Sequence, residues 1–550
     1  MGSFSFLLLF SLITSPIPPQ INIEGNDFFS QNEILHSLNL TEHQPIPQES
    51  LAVYGKRILD LYKTEGFLNA EFRIEKRGNI PTLIISEGER YVVGAIDVSG
   101  NRFAKDEILI RILDIEREKP FSPPLFERGI EEILLFYGDR GFPFTRVLPS
   151  YRIRKNNQIT IEIEIEEGPR LQWGKITTRG NTVTRSYVIE KQMKIPTHDY
   201  FSESQLRTST EWLSKLPYLE MDDEIELIKG EESGTVDLLV TIREMTSNRI
   251  IGIAGYLPSD ETQEGGFVGS IAAEMLNLFG TGRSLHIRWQ KYIPPYTKLD
   301  VHYREPWILG SRSALKLSLS HLLEDTLYSL SNAQIELETF LSLNLGLSIT
   351  GGVEIFNPAT VEIPKSRKYS LGSGFFYSNL DSEINPRKGI DHRFYTEYGK
   401  KSSTNVVKLT LDLLNVIPLF SHNVLTLFLS GKTIRTNTSQ LPSHEQFPLG
   451  GFNSLRGYRE RQFRAVQVLR GSPEFRYLLS RKSRLYLFYD CAYFETCTYP
   501  TGESEDLHRD GYGVGAKFDS RLGIVSIEYA IGEEREFMKG KIHIGLDSSF

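Results

Sequence analysis

The residues best placed to do chemistry in this chain do not assemble into a catalytic set. His444-Glu445 opens like the H-E-x-x-H helix of a zinc hydrolase, but Pro448 stands where the second imidazole would have to be. Two cysteines, Cys491 and Cys497, cannot complete a four-ligand structural zinc site. A disulfide between them stays open, with the first facing outward on a strand and the second in a loop. The eleven histidines are scattered, and Gly280-Thr281-Gly282 lacks the third glycine of a dinucleotide fingerprint. Neither a nucleophile elbow nor a phosphate loop occurs. The chain is therefore not expected to be an enzyme, nor to carry a cofactor or a metal. What calls for explanation is a Gly- and Arg-rich stretch from Phe447 to Gln462, centred on Leu455-Arg456-Gly457-Tyr458. Loops this long usually carry function. This one is expected to fold inward, burying Arg456 in the lumen of a barrel.

The elements around it must supply that barrel. The chain has 550 residues, too many for one ordinary core, and a formal net charge of -8 with pI near 5.9. That balance lacks the basic bias that nucleic-acid binding needs. Mean hydropathy is -0.26, and after the N-terminus no run of eighteen apolar residues appears. A transmembrane helix is not expected, whereas a barrel, whose inward residues are polar, is compatible with these values. Phe4 to Ile13 is a short apolar run followed by small residues and prolines. It reads as a signal-peptide core (1–19), although no Lys or Arg precedes it. A buried strand or a misassigned start are the alternatives.

Three segments of the first half open alike, each ending in Gly-Asn: Gly25-Asn26, Gly100-Asn101 and Gly180-Asn181. After each comes a short helical pattern, then a second helix, then two strands. The second helix of the first copy places Leu51, Tyr54, Ile58, Leu61 and Tyr62 on one face; in the third copy Pro217 truncates the pattern. The clearest strand runs from Ile159 to Glu167, alternating Ile with Glu, as a half-buried strand with a solvated acidic face does. Each copy therefore reads β-α-α-β-β, a two-layer α+β module. Such modules either act as spacers or offer a strand edge to extended clients.

From about Asn248 onward helical periodicity gives way to alternation with turn signals. Leu315, Leu317 and Leu319 face one way, and Lys316, Ser318 and Ser320 the other; Val407 to Leu413 alternates similarly. At roughly nine to eleven residues per strand the remaining length holds about sixteen strands. Outward residues such as Leu485, Leu487, Tyr489 and Tyr493 suit lipid. Counting strands back from the C-terminus, with short turns on one side and longer loops on the other, puts the Arg456 loop on the outer side.

With the repeats, the barrel and LRGY in place, the chain resembles the Omp85 superfamily, and its modules resemble POTRA domains. Asn277-Leu278-Phe279-Gly280-Thr281-Gly282-Arg283, Tyr303-Arg304-Glu305-Pro306, Asn385-Pro386-Arg387-Lys388-Gly389 and the tail from Leu522 resemble barrel segments of that family. The resemblance implies POTRA modules at 20–90, 91–169 and 170–246 and a sixteen-stranded antiparallel transmembrane barrel at 247–550. Three modules are most like the barrel subunit of the translocation and assembly module. The family implies that Arg456 inserts into the lumen, with Gly457 turning the chain and Tyr458 packing on the wall. It also implies acidic partners, for which strand parity offers Glu474 and Asp490. Arg459, Arg461 and Arg464 are expected to be solvated. A lateral seam is expected between Ile250-Ile251-Gly252 and Ile544-Gly545-Leu546, with Phe550 ending an outer-membrane recognition signal. The implied location is the outer membrane, with the modules in the periplasm. The implied role is capture of unfolded outer-membrane proteins or autotransporters and their insertion through the seam. An inner-membrane-anchored or periplasmic partner and outer-membrane lipid complete the implied partners, and nucleic acid is not among them. The alternatives are a dedicated two-partner-type secretion transporter and a lipid-transport barrel.

Overall fold

The computed structural model describes residues 22–38, 51–77, 80–196, 198–246, 248–257, 266–292, 296–324, 327–359, 365–382, 384–401, 404–438, 441–451, 454–459, 461–498, 501–520, 523–532 and 540–547. Side chains at 76–77, 80–81, 251–257, 266–269, 292, 523 and 543–547 are not among those described. The expected signal segment and Phe550 lie outside the described residues. The chain forms two compact units. One carries the two leading modules with part of the third, and the other carries the rest of the third module with the barrel.

Each module has the order strand, two helices, then further strands. In the first these are Asn22–Glu24, Gln31–Ser37, Leu51–Thr64, Glu71–Arg77 and Ile80–Ser86. The last strand lies in the middle of the sheet, parallel to the first and antiparallel to the one before it. The second module repeats this with Val92–Ser99, Arg146–Ile153 and central Gln158–Glu166. There the alternation is read directly by burial. Ile159, Ile161, Ile163 and Ile165 are buried against Leu109, Leu113, Ile133 and Tyr137, while Glu164 and Glu166 are exposed. Full burial of one such Ile contributes about 1.5–3 kcal/mol. The third module adds a short strand, Glu226–Lys229, beside its central strand, Thr235–Glu244. Its second helix is Glu203–Leu213, which starts earlier than the pattern around Trp212 suggests and stops before Pro217.

The Gly-Asn turns share one construction. Gly25, Gly100 and Gly180 have φ of 76°, 82° and 91°, and a Cβ on any of them would meet a carbonyl of the module's last strand at 2.0–2.2 Å. Only glycine fits there. The Asn amides donate to the carbonyl three residues on: Phe29 (2.9 Å), Ala104 (2.9 Å) and Thr184 (3.0 Å). A glutamate at the end of the last strand then accepts the exposed turn amides. Glu87 accepts from Phe28 N, Glu167 from Arg102 N and Phe103 N, and Glu244 from the backbone N–H groups of Thr182, Val183 and Thr184. Burial opposes charge on Glu244, but the hydrogen bonds from Thr182, Thr184 and Val183 prevail and hold its carboxyl down at about 2.

The second unit is dominated by a 16-stranded antiparallel sheet in strict sequential order, from Asn248–Leu257 to Lys541–Asp547. Both end strands are present, and among the described residues no ladder joins them. Alternation is cleanest on Arg484–Cys497, where Leu485, Leu487 and Tyr489 are exposed while Tyr486, Phe488 and Asp490 are buried. That is the pattern of a strand between lipid and a packed interior. Several strands run longer than alternation alone suggests. Ser504–Ser520 pairs with Arg484–Cys497 up to Cys497–Ser504, so the loop between them is 498–503. Loop length distinguishes the two sides only partly: the outer connections 325–327 and 402–403 are as short as the inner ones. The connection 437–466 exceeds every other outer one and carries its own two-stranded hairpin, Phe447–Leu449 with Phe463–Ala465. Among the described residues no disulfide joins Cys491 and Cys497.

Candidate functional site

Side chains from three strands line the interior wall of the barrel opposite this loop. Gln467–Leu478 points Ser472 and Glu474 inward, Arg484–Cys497 points Tyr486, Phe488 and Asp490 inward, and Gly523–Ile531 contributes Glu528. Asp490 is fully buried and Arg456 is 6% exposed. The guanidinium makes a fork. Nε donates to Asp490 Oδ2 (2.7 Å) and Nη2 to Asp490 Oδ1 (2.7 Å). Nη1 donates to Glu474 Oε1 (2.8 Å), and Nη2 also to Ser472 Oγ (3.0 Å). Its own backbone N–H donates to Asp490 Oδ2 (3.0 Å). The plane lies over the Phe488 ring, with Cζ 3.6 Å from the centroid. A buried guanidinium so satisfied is tolerable, whereas the same group without acids would not be.

A second layer steadies the acids. Arg476 donates through Nε and Nη2 to Glu474 Oε2 (2.9 and 2.7 Å). Ser472 Oγ donates to Asp490 Oδ1 (2.5 Å). Glu528, 3.7 Å from Arg456, accepts from the Tyr486 hydroxyl. The loop backbone rests directly on glycines. Gly457 has φ 92°, and a Cβ there would lie 2.7 Å from Gly532 N; a Cβ on Gly511 would lie 2.0 Å from the Arg456 carbonyl. Tyr458 is buried and donates to the Asp510 carbonyl (3.1 Å).

The structure thus brings Arg456, Gly457, Tyr458, Glu474 and Asp490 together. Glu528, Ser472, Arg476, Phe488 and the glycines 511 and 532 escaped sequence reasoning. The inward parity that selects Glu474 and Asp490 would also select Glu528. Arg461 and Arg464 are not solvated, contrary to the sequence-based expectation. Both are half-buried, 3.9 and 4.0 Å from Glu324, because the loop lies against the wall instead of extending outward. His444-Glu445 also acquires a place. Glu445 is buried against Lys401 (3.0 Å), its carbonyl accepts from Lys408 Nζ (2.9 Å), and the His444 ring stacks on Phe356 at 4.0 Å. The loop is therefore tied down at three places. Among the described residues no cluster of His, Cys, Asp and Glu is arranged to hold a metal. Of the expected seam residues, Ile250 is 63% exposed, while the side chains of Ile251, Gly252, Ile544, Gly545 and Leu546 lie outside the described set.

The other end of the barrel meets the third module. The turn Asn277–Gly282 receives its Gly-Asn turn: Asn277 Nδ2 donates to Thr184 Oγ1 (2.8 Å), and Arg185 N to the Gly280 carbonyl (3.0 Å). Trp307 Nε1 donates to Gln192 Oε1 (3.0 Å).

A barrel of sixteen strands preceded by repeated βααββ modules, with an arginine loop folded inside, defines a class of module-bearing outer-membrane barrel. A family model described as the Omp85 superfamily domain matches residues 277–550, and one for the POTRA surface antigen variable number repeat matches 91–168 and 172–245. The chain belongs to the Omp85 superfamily. It is 22% identical over 479 residues to the outer membrane protein assembly factor BamA of Nitratidesulfovibrio vulgaris, covering 80% of this chain and 60% of that protein. To the BamA of Neisseria meningitidis serogroup B it is 23% identical over 295 residues, covering 49% and 35%. The chain thus spans about 60% or less of the length of these curated relatives. Among solved structures, BamA from Haemophilus ducreyi lacking POTRA domains 1-3 superposes with TM-score 0.57 at 16% identity, covering 84% of this chain and all of that one. CdiB from Escherichia coli does so with TM-score 0.52 at 12% identity, covering 95% and 99%. These likenesses concern the fold. The barrel belongs in the outer membrane, and the POTRA modules in the periplasm.

Proposed function

We propose that this protein assembles or translocates outer-membrane proteins. Its periplasmic modules receive unfolded clients, and the barrel inserts them through a seam between its first and last strands. The observation that carries the reading is the Arg456 network. A passive pore has no need of a loop held across its interior by a buried fork to Asp490 and Glu474. The names of the curated relatives, outer membrane protein assembly factors, support it. Within the superfamily, the module count is most like the barrel subunit of the translocation and assembly module. At the seam, client strands pair with an exposed edge by β-augmentation. Clients are unfolded outer-membrane proteins or autotransporters, and a periplasmic or inner-membrane-anchored partner hands them over. The test is depletion of the protein followed by quantitative proteomics of the outer membrane. Loss of many barrel proteins is expected; loss of a single exported protein would instead indicate a dedicated transporter.

A further inference from the structure

A cavity of about 920 Å³ opens where the third module meets the barrel, bounded by Trp212 and Tyr218 on the module side and continuing past Arg304 and Phe340 to Phe376 and Asp391 inside the barrel. Three observations say what it holds. First, one wall is an aromatic run. Trp212 meets Phe340 edge-on at 5.6 Å, and Phe340 meets Phe376 edge-on at 5.5 Å, so the rings step from the module into the lumen. Second, two buried polar atoms in its lining have no hydrogen-bond partner among the described residues: Tyr218 Oη, on a residue 4% exposed, and Arg312 Nε. Groups in that state are rare in folded proteins, because dehydration without a partner is costly. Third, the deeper wall is ionic, with Arg393 on Asp391 (2.8 Å) and Arg304 3.5 Å from Glu338.

We propose that this cavity receives an extended polypeptide segment bearing aromatic side chains as it passes from the third module into the barrel. The inference rests on the assembly reading above. On a strand, alternate side chains share a face, so every second aromatic of the segment can stand on the Trp212–Phe340–Phe376 run. Its backbone carbonyls then accept from Tyr218 Oη and Arg312 Nε, the two donors of this lining that have no partner among the described residues. The volume fits a few residues, since ligand sites of roughly 300–1,000 Å³ are usual. A lipid acyl chain would cover the rings but leave both donors and the ionic wall dry and unanswered.

The test uses the full chain in lipid nanodiscs and two fluorescently labelled ten-residue peptides. One alternates tyrosine with serine; the other has alanine for each tyrosine. Anisotropy is expected to show the tyrosine peptide binding about tenfold more tightly than the alanine peptide, the worth of one good aromatic anchor. Tyr218→Phe keeps the ring and removes only an unbonded hydroxyl, so the fold tolerates it; it is expected to weaken the tyrosine peptide several-fold. Trp212→Ala is expected to weaken it further. A photo-crosslinker at Leu343, which lines the cavity, is expected to capture the peptide. Equal affinity for the two peptides, unchanged affinity in Tyr218→Phe, or crosslinks to phospholipid alone would overturn the proposal. The two readings fail separately. Depletion that spares the outer-membrane proteome sinks the assembly reading while peptide binding stands; absent peptide binding with a depleted proteome sinks the cavity alone.

Discussion

At the scale of single residues, Arg456 is held by geometry as much as by charge. Its fork engages both oxygens of Asp490 and one of Glu474. A lysine has charge but no fork. Arg456→Ala leaves Asp490, Glu474 and Glu528 facing one another, and breaking a buried pair in this way costs about 3–5 kcal/mol. Arg456→Lys is expected to recover only part of that. Protease sensitivity of the loop in folded barrels should rank wild type, Lys and Ala in that order; equal resistance would contradict the assignment. Asp490 and Glu474 were legible because a period of two fixes which residues point inward once one is placed. Arg476 and Phe488 were not singled out, since parity says which residues face the lumen but not which of them touch. Glu244 supports a second expectation. Its carboxyl is depressed to about 2 in the folded protein, so the unfolded chain binds the proton more readily. The stabilisation it contributes is complete above its ordinary value near 4.5 and is lost as pH falls through about 2. Unfolding of the third module followed from pH 6 to pH 2 should show this loss in wild type, and a flatter profile in Glu244→Gln.

At the scale of elements, the modules were readable because helix and strand periods differ and the Gly-Asn turn repeats. The third module's second helix was placed too late. Glu203–Leu213 opens in a polar run, Glu203-Ser204-Gln205, where the apolar spacing is weak. The outer loops were expected to be longer than the turns, but strands such as Ser504–Ser520 continue past the apolar band, and strand pairing does not end where the lipid does. The joint between module and barrel was not legible at all. The segment from Asn277 to Arg283 was recognisable as a family turn, yet its use as the receptor for Thr184 and Arg185 depends on residues almost a hundred positions away. A Cβ on Gly280 would lie 1.9 Å from the Val183 carbonyl. Gly280→Val is therefore expected to undock the turn without unfolding the barrel. Hydrogen exchange at the Arg185 amide should accelerate by an order of magnitude or more; unchanged protection would show that the joint does not depend on this contact.

At the scale of the whole molecule, the account makes the loop and the seam parts of one machine. The loop is tied to the wall at Asp490, at Glu324 and at Lys401, and so spans from the fifth strand of the sheet to the thirteenth. If clients enter at the edges of the sheet, locking those edges must stop insertion. A cysteine pair placed across the first and last strands is expected to abolish client assembly when oxidised and to restore it on reduction. The fold was legible in the sequence at this scale because sixteen alternating segments and three repeats leave few other architectures. The proposed client was not, since a segment bound as an extended strand would be recognised through its backbone and leave little signature in the receptor's composition. The most direct test replaces the chromosomal copy with Arg456→Ala and measures the outer-membrane proteome beside the level of the folded variant barrel. The account predicts a broad fall in barrel proteins while the variant itself remains folded in the membrane. An unchanged proteome at normal barrel levels would contradict it.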